Sequence, residues 1–142
     1  MRALIVEDEP RIAADLERAL KAAGFLVETV GDGETAWFRG GTEQYDLIVL
    51  DAFSSDTMPA HLMTVEALRV YLSRLNAGGM IAMNISSRYF DIAPVVAATA
   101  AEAGMFALHK EDHIDAAAAP YIQPSHWVVM GRDLHALESF GR

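Results

Sequence analysis

The feature that most constrains this chain is its alternation of short apolar runs with segments of helical period. That order of elements builds a mainly parallel sheet covered on both faces. The first run, Arg2 to Val6, is apolar almost without interruption, as a parallel strand buried on both sides must be. Pro10 then opens a helix expected to reach Ala23, because its missing N–H would have no intrahelical partner at that position. Ile12, Leu16, Ala19, Leu20 and Ala23 recur at helical spacing, and Gly24 is placed to end the helix in the left-handed region.

The same reading continues along the chain. Strand two is expected at Phe25 to Val30, followed by a Gly31-Asp32-Gly33 turn and a short helix near Glu34 to Arg39. Strand three, Asp46 to Asp51, ends its apolar run on a carboxylate. A polar loop, Ser54 to Pro59, precedes a helix over Thr64 to Leu75, which Asn76-Ala77-Gly78-Gly79 should terminate. Strand four is Met80 to Ile85, and a helix over Asp91 to Ala103 is closed by Gly104. Strand five is Met105 to His109, and a loop from Lys110 to Pro124 contains the short alanine run Ala116 to Ala119. Strand six is His126 to Met130, and a terminal helical turn follows at Asp133 to Phe140. With 142 residues, no internal repeat and no linker, the expectation is one α/β domain over 1–142.

Composition narrows the function classes. Twenty acidic against 11 basic residues give a net charge of −9, so a phosphate backbone is repelled on average and no nucleic-acid partner is expected. No apolar run approaches the ~20 residues that cross a bilayer, so no membrane partner is expected either. Cysteine is absent, which excludes disulfides and thiolate metal sites. The N-terminus turns acidic at Glu7 and Asp8 and lacks a secretory pattern, which fits a cytoplasmic protein. The five histidines, His61, His109, His113, His126 and His135, show no metal-ligand spacing and are read as surface or locally satisfied. Trp37 and Trp127 are read as packing residues.

Two groups of motifs stand out. The first is Leu4-Ile5-Val6-Glu7-Asp8-Glu9-Pro10, then Gly31-Asp32-Gly33-Glu34, then Tyr45-Asp46-Leu47-Ile48-Val49-Leu50-Asp51. On these residues the segment 1–51 resembles the start of a two-component response-regulator receiver domain. The resemblance implies Glu7, Asp8 and Asp51 as Mg²⁺ ligands, with Asp51 also the phosphoacceptor. Carboxylates gathered at the carboxyl ends of neighbouring strands repel one another, and a hard divalent cation relieves that repulsion. The alternative reading is a set of solvated loop acids. Beyond Asp51 the family pattern stops: Ala52-Phe53-Ser54-Ser55 follows instead of apolar residues and a proline. Ser86 can stand in for the hydroxyl residue that ends strand four in receivers. Lys110 can stand in for the lysine ending strand five, although Glu111 follows it where the family has proline.

The second group is Val49-Leu50-Asp51-Ala52-Phe53-Ser54-Ser55-Asp56, Met58-Pro59-Ala60-His61-Leu62, Gly78-Gly79-Met80-Ile81-Ala82, Asn84-Ile85-Ser86-Ser87-Arg88-Tyr89 and Ser125-His126-Trp127-Val128-Val129-Met130. On these the part from about Tyr45 to Arg142 resembles a spermidine-synthase-like protein of the Rossmann methyltransferase class. The resemblance implies Asp51 beside a substrate amine, with Asn84 and Arg88 near the crevice as candidate ligand contacts. It also implies an adenosyl cofactor on a glycine-rich loop after strand one. Glu7-Asp8-Glu9-Pro10-Arg11 stands there instead, with no glycine before Gly24, so S-adenosylmethionine is not expected.

Tyr45 to Asp51 satisfies both families, which marks it as a point of recombination, by design rather than by nature. Joining the two parental topologies gives a three-layer α/β sandwich, a flavodoxin-like/Rossmann-like hybrid. Its expected strand order is 2-1-3-4-6-5 with strand six antiparallel. At about 4.8 Å per strand, strand five then stands roughly 10 Å from strand four, one strand further than in a receiver. Lys110 is displaced from Asp51 accordingly. The expectation is an engineered chimera without complete catalytic function. Two alternatives stay open: Mg²⁺-dependent phosphorylation at Asp51, and residual binding of an S-adenosylmethionine-type ligand. No protein partner is implied, beyond the homodimer that an exposed edge strand could form.

Overall fold

The computed structural model describes residues 1–31, 44–51, 63–86, 91–111, 117 and 126–140. The Asp32-Gly33 part of the expected turn, the helix near Glu34, Trp37, the loop at Ser54 to Pro59, His61, Arg88 and His113 lie outside them. In chain order the elements are β1 (Arg2–Val6), α1 (Pro10–Ala22), β2 (Leu26–Val30), β3 (Tyr45–Leu50), α2 (Val65–Ser73), β4 (Leu75–Asn84), α3 (Ala93–Glu102), β5 (Phe106–Glu111), β6 (His126–Gly131) and α4 (Leu134–Phe140).

The six strands form one sheet in the order β2-β1-β3-β4-β6-β5, as the joined topologies require. β1 pairs in parallel with both β2 and β3, and β3 with β4. β6 runs antiparallel between β4 and β5. The register aligns Val6 with Leu50 and Leu50 with Met83, so β1, β3 and β4 finish level with one another.

Alternation along the strands divides the core between two faces. Leu4, Val6, Ile48, Leu50, Ile81, Met83, Val128 and Met130 pack with Leu68 and Leu72 of α2 and Val96 and Ala100 of α3. Ala3, Ile5, Leu47, Val49, Ala82 and Val129 pack on the other face with Leu137 of α4 and with Leu16 and Leu20 of α1. Helices thus cover both faces, and the three layers follow directly from the period of two.

Local chemistry sets the helix ends. Pro10 occupies the first turn of α1, with the Glu9 side chain accepting from the Arg11 N–H at 3.3 Å. Gly24 and Gly104 follow α1 and α3 with φ of +95° and +78°, the left-handed conformation expected of both. The inward stripe of α1 runs through Ala13, Leu16 and Leu20, while Ile12 is 44% exposed and lies outside it.

The helix expected over Thr64 to Leu75 is shorter than its period suggested. Thr64 caps it, its Oγ1 accepting from the Ala67 N–H at 3.1 Å, and it ends at Ser73. The chain turns early because Leu75 pairs with Tyr45, and the Tyr45 N–H donates to the Arg74 carbonyl at 2.7 Å. Residues 76–79 then form an irregularity before Leu47 pairs with Met80. A Cβ on Gly79 would come within 2.9 Å of the Asn76 carbonyl oxygen and 3.1 Å of that of Tyr45, so only glycine fits this fold-back.

Candidate functional site

Carboxyl groups gather where β1 and β3 end. The Glu7 N–H bonds the Val30 carbonyl at 3.1 Å and the Asp51 N–H bonds the Val6 carbonyl at 2.9 Å, so both residues extend the ladder by one position. The parity of Ile5 and Val49 puts both on the face that α1 covers. Both are buried: Glu7 is 4% exposed and Asp51 8%.

Outside the pair itself, each carboxyl has one fixed donor among the described residues. Glu7 Oε1 accepts from the Glu9 N–H at 2.9 Å, and Asp51 Oδ1 accepts from Asn84 Nδ2 at 2.8 Å. Glu7 Oε2 is buried with no hydrogen-bond partner among the described residues. Burial pushes the Glu7 carboxyl up to about 8, and the negative charge of Asp51 adds to this against the opposing Glu9 N–H. Burial also raises Asp51, opposed by hydrogen bonding from Asn84 and Glu7, while the charge of Asp8 pushes the same way as burial. The pair therefore holds a proton at neutral pH, Glu7 being its natural seat, since two like charges cannot both be ionised cheaply in a dry site.

A chain of hydrogen bonds leads from Asp51 across the sheet. Asn84 donates to Asp51, and its Oδ1 accepts from the Ser86 N–H at 2.9 Å. The Ser86 Oγ in turn accepts from the His126 N–H at 2.9 Å, at the start of β6. Ser86 thus fastens the inserted strand to the end of β4, a role its sequence position did not announce.

Lys110 stands apart. Asn84 pairs with Trp127, and Trp127 with Lys110, so the three form one row across β4, β6 and β5, with Lys110 exposed. Asp51 is three strand spacings from Lys110, about 14 Å, against about 10 Å were β5 next to β4. Trp127 is half-buried against the α1-side core, a packing position as its sequence suggested.

The structure therefore brings Glu7, Asp51, Asn84 and Ser86 together at the carboxyl end of the sheet. Asp8 is exposed beside them, and Lys110 is remote. Arg88 lies outside the described residues. Among the described residues, no three His, Asp or Glu side chains are arranged to hold a metal ion. The juxtaposition of His109 and His126 across β5 and β6 was not legible as a spacing, because register rather than sequence distance creates it.

No family model matches the chain. Over 61 residues it is 46% identical to the transcriptional activator protein IrlR of Burkholderia pseudomallei, covering 43% of this chain and 25% of that protein. Over 51 residues it is 47% identical to the transcriptional regulatory protein TcrA of Mycobacterium tuberculosis, covering 36% of this chain and 20% of that one. The chain thus spans a quarter or less of the length of these curated relatives. Solved structures point elsewhere. A methyltransferase from Pyrococcus furiosus superposes on 93% of this chain and 75% of its own with a TM-score of 0.63 and 12% identity. A spermidine synthase in complex with the transition-state analogue AdoDATO superposes on 98% of this chain and 55% of its own, with a TM-score of 0.64 and 12% identity. Human methyltransferase-like protein 13 in complex with SAH covers 94% and 72%, with a TM-score of 0.60 and 18% identity. The chain accordingly combines a response-regulator-like receiver sequence with the Rossmann-like fold of methyltransferases and spermidine synthases.

Proposed function

We propose that this chain is an engineered hybrid of two α/β ancestries, one domain over 1–142 with segments 1–51 and 52–142, that folds without turning over a substrate. The observation that carries the reading is the position of β6. Wedged between β4 and β5, it moves Lys110 to about 14 Å from Asp51, too far for an ammonium to meet a phosphoryl group there. Ser86, the hydroxyl that would complete a receiver site, accepts the His126 N–H instead.

The methyltransferase side is equally short of parts. Only residues 7–9 separate β1 from α1, and they are three carboxylates, with Glu7 buried. A cofactor carrying its own carboxylate does not fit against that loop, whose backbone offers no glycine for close approach. The negative net charge argues equally against a nucleic-acid partner.

A second reading rests on the unpartnered Glu7 Oε2: Glu7 and Asp51, with Asp8 exposed beside them, hold a weakly bound Mg²⁺, and Asp51 accepts a phosphoryl group. Two carboxylates and waters are an ordinary Mg²⁺ environment, so these residues fit the ion. When bound, the ion would shield an incoming phosphoryl group. For their part, Asn84 orients Asp51, and Glu7 must first give up its proton.

Incubating the chain with Mg²⁺ and a small phosphodonor, followed by intact mass, separates the two. The hybrid reading expects no mass change, whereas gain of one phosphoryl group, lost in Asp51→Asn, would replace it with the second reading. Calorimetry with S-adenosylmethionine should give no heat at millimolar ligand; saturable binding would contradict the hybrid reading from the other side.

A further inference from the structure

The antiparallel pairing of β5 and β6 creates a side-chain cluster that neither ancestry's site uses. Glu111 lies opposite His126 and His109 opposite Val128. With a period of two, His109 and Glu111 share a face of β5, and the ladder places His126 on the same face. His126 Nδ1 stands 3.4 Å from His109 Nε2, with ring centroids 5.6 Å apart and planes 15° from parallel. The other nitrogen of His126, Nε2, is 3.7 Å from Glu111 Oε1. β5 is the edge of the sheet, and His126 and Glu111 are 32% and 43% exposed at their side chains, so an ion can reach them from solvent.

We propose that His109 and His126 bind a divalent transition metal that favours imidazole, such as Zn²⁺, Ni²⁺ or Cu²⁺. The distance is the first argument. With metal–nitrogen bonds of 2.0–2.1 Å, two imidazoles at the tetrahedral angle hold their nitrogens about 3.4 Å apart. The two rings already stand at that separation.

The proton count is the second argument. Two ring nitrogens in hydrogen-bond contact have one proton between them; metal binding sends it, by way of solvent, to the outer nitrogen of its own ring, so both rings stay neutral and both facing lone pairs are free for the ion. Swinging both lone pairs toward a common point needs only rotation about the ring torsions, which are broad.

Glu111 supplies the third argument. It stands 3.7 Å from the far nitrogen of His126, where its charge favours a proton on Nε2 and so leaves Nδ1 as the ligand. Water fills the remaining positions, which matches the lack of a third ligand among the described residues and makes the affinity modest. Nitrogen ligands also keep this site distinct from the carboxyl pair, since a hard ion such as Mg²⁺ prefers oxygen.

Calorimetric titration of the full chain with Zn²⁺, repeated with Ni²⁺ and with Mg²⁺, tests the proposal on the parent and on His109→Gln, His126→Gln and His135→Gln. His109 is exposed on an edge strand, so that variant should keep the parent's metal-free thermal midpoint. The expected result is one equivalent of Zn²⁺ bound by the parent and by His135→Gln. Binding should be at least tenfold weaker in either of the other two variants, with any Mg²⁺ heat unchanged by the histidine substitutions. Zn²⁺ affinity in His109→Gln equal to the parent's, or no heat from the parent, would overturn the site.

Discussion

The two ends of this sheet treat the same chemical group in opposite ways. At the end where β1 and β3 begin, Asp46 accepts from the Arg2 N–H at 2.8 Å and from Asn76 Nδ2 at 3.1 Å. Its carboxyl is held below the usual range, chiefly by that backbone hydrogen bond. Glu28 nearby accepts from Arg2 at 2.7 Å and from the Tyr45 hydroxyl at 2.7 Å, with the guanidinium 5.7 Å from the Tyr45 ring centre. At the opposite end Glu7 and Asp51 have one fixed donor each from outside the pair, and Glu7 faces the charge of Asp51. The difference teaches that burial and donors are weighed together: half-buried Asp46 with two donors goes down, whereas Glu7 and Asp51, deeper and with fewer donors, go up. Parallel strands send their carbonyl-rich ends, and in this chain their acids, to one edge, so that edge accumulates charge unless a cation joins it.

Editing the two ends should give opposite signs. Asp46→Ala leaves the part-buried Arg2 N–H and the Asn76 amide without their acceptor and should cost about 2 kcal/mol in denaturant unfolding at pH 7. Glu7→Gln keeps the acceptor for Glu9 and removes a charge the site resists. It should stabilise the fold by roughly 1–2 kcal/mol at pH 9 and change little at pH 5. A loss of stability in Glu7→Gln at pH 9 would mean the pair is compensated, and the contrast between the ends would fall.

The pH dependence follows with its sign. Glu7, raised from 4.5 to about 8 when folded, binds more protons in the native state between those values, so its contribution is full below 4.5 and is lost as pH rises through 8. Asp46, lowered when folded, contributes above 3.8 and loses that contribution as pH falls through its folded value. Thermal midpoints across pH 3–9 should therefore decline on the alkaline side in the parent, and less so in Glu7→Gln. The smallest effect belongs to Glu28→Gln, which weakens an ion pair exposed by about a third on both sides and should cost no more than about 1 kcal/mol.

Much of the fold was legible in the sequence because periodicity and position carry it. The apolar runs at Arg2–Val6 and Tyr45–Leu50 mark buried parallel strands, and the place of β6 followed from the family that its motif resembles. What was not legible depends on contacts far apart in sequence. The early end of α2 is set by Leu75 pairing with Tyr45, against the local helical period. Ser86 read as a stand-in for the hydroxyl that ends strand four in receivers, and its contact with the N–H of His126, 40 residues away, was not visible. His109 and His126 looked unrelated until the β5–β6 register set them side by side. Glu7 and Asp51 were both read as candidates. That they share a proton could not be seen, because burial and the supply of donors are properties of the assembled end of the sheet.

Carboxyl-carbon NMR of labelled Glu7 and Asp46 across pH 2–10, without added metal, tests the contrast most directly. Glu7 should titrate near 8 and Asp46 below 3.8. Glu7 titrating near 4.5, beside Asp46, would mean that a cation or further donors already complete the crevice, contradicting the reading of an unfinished site.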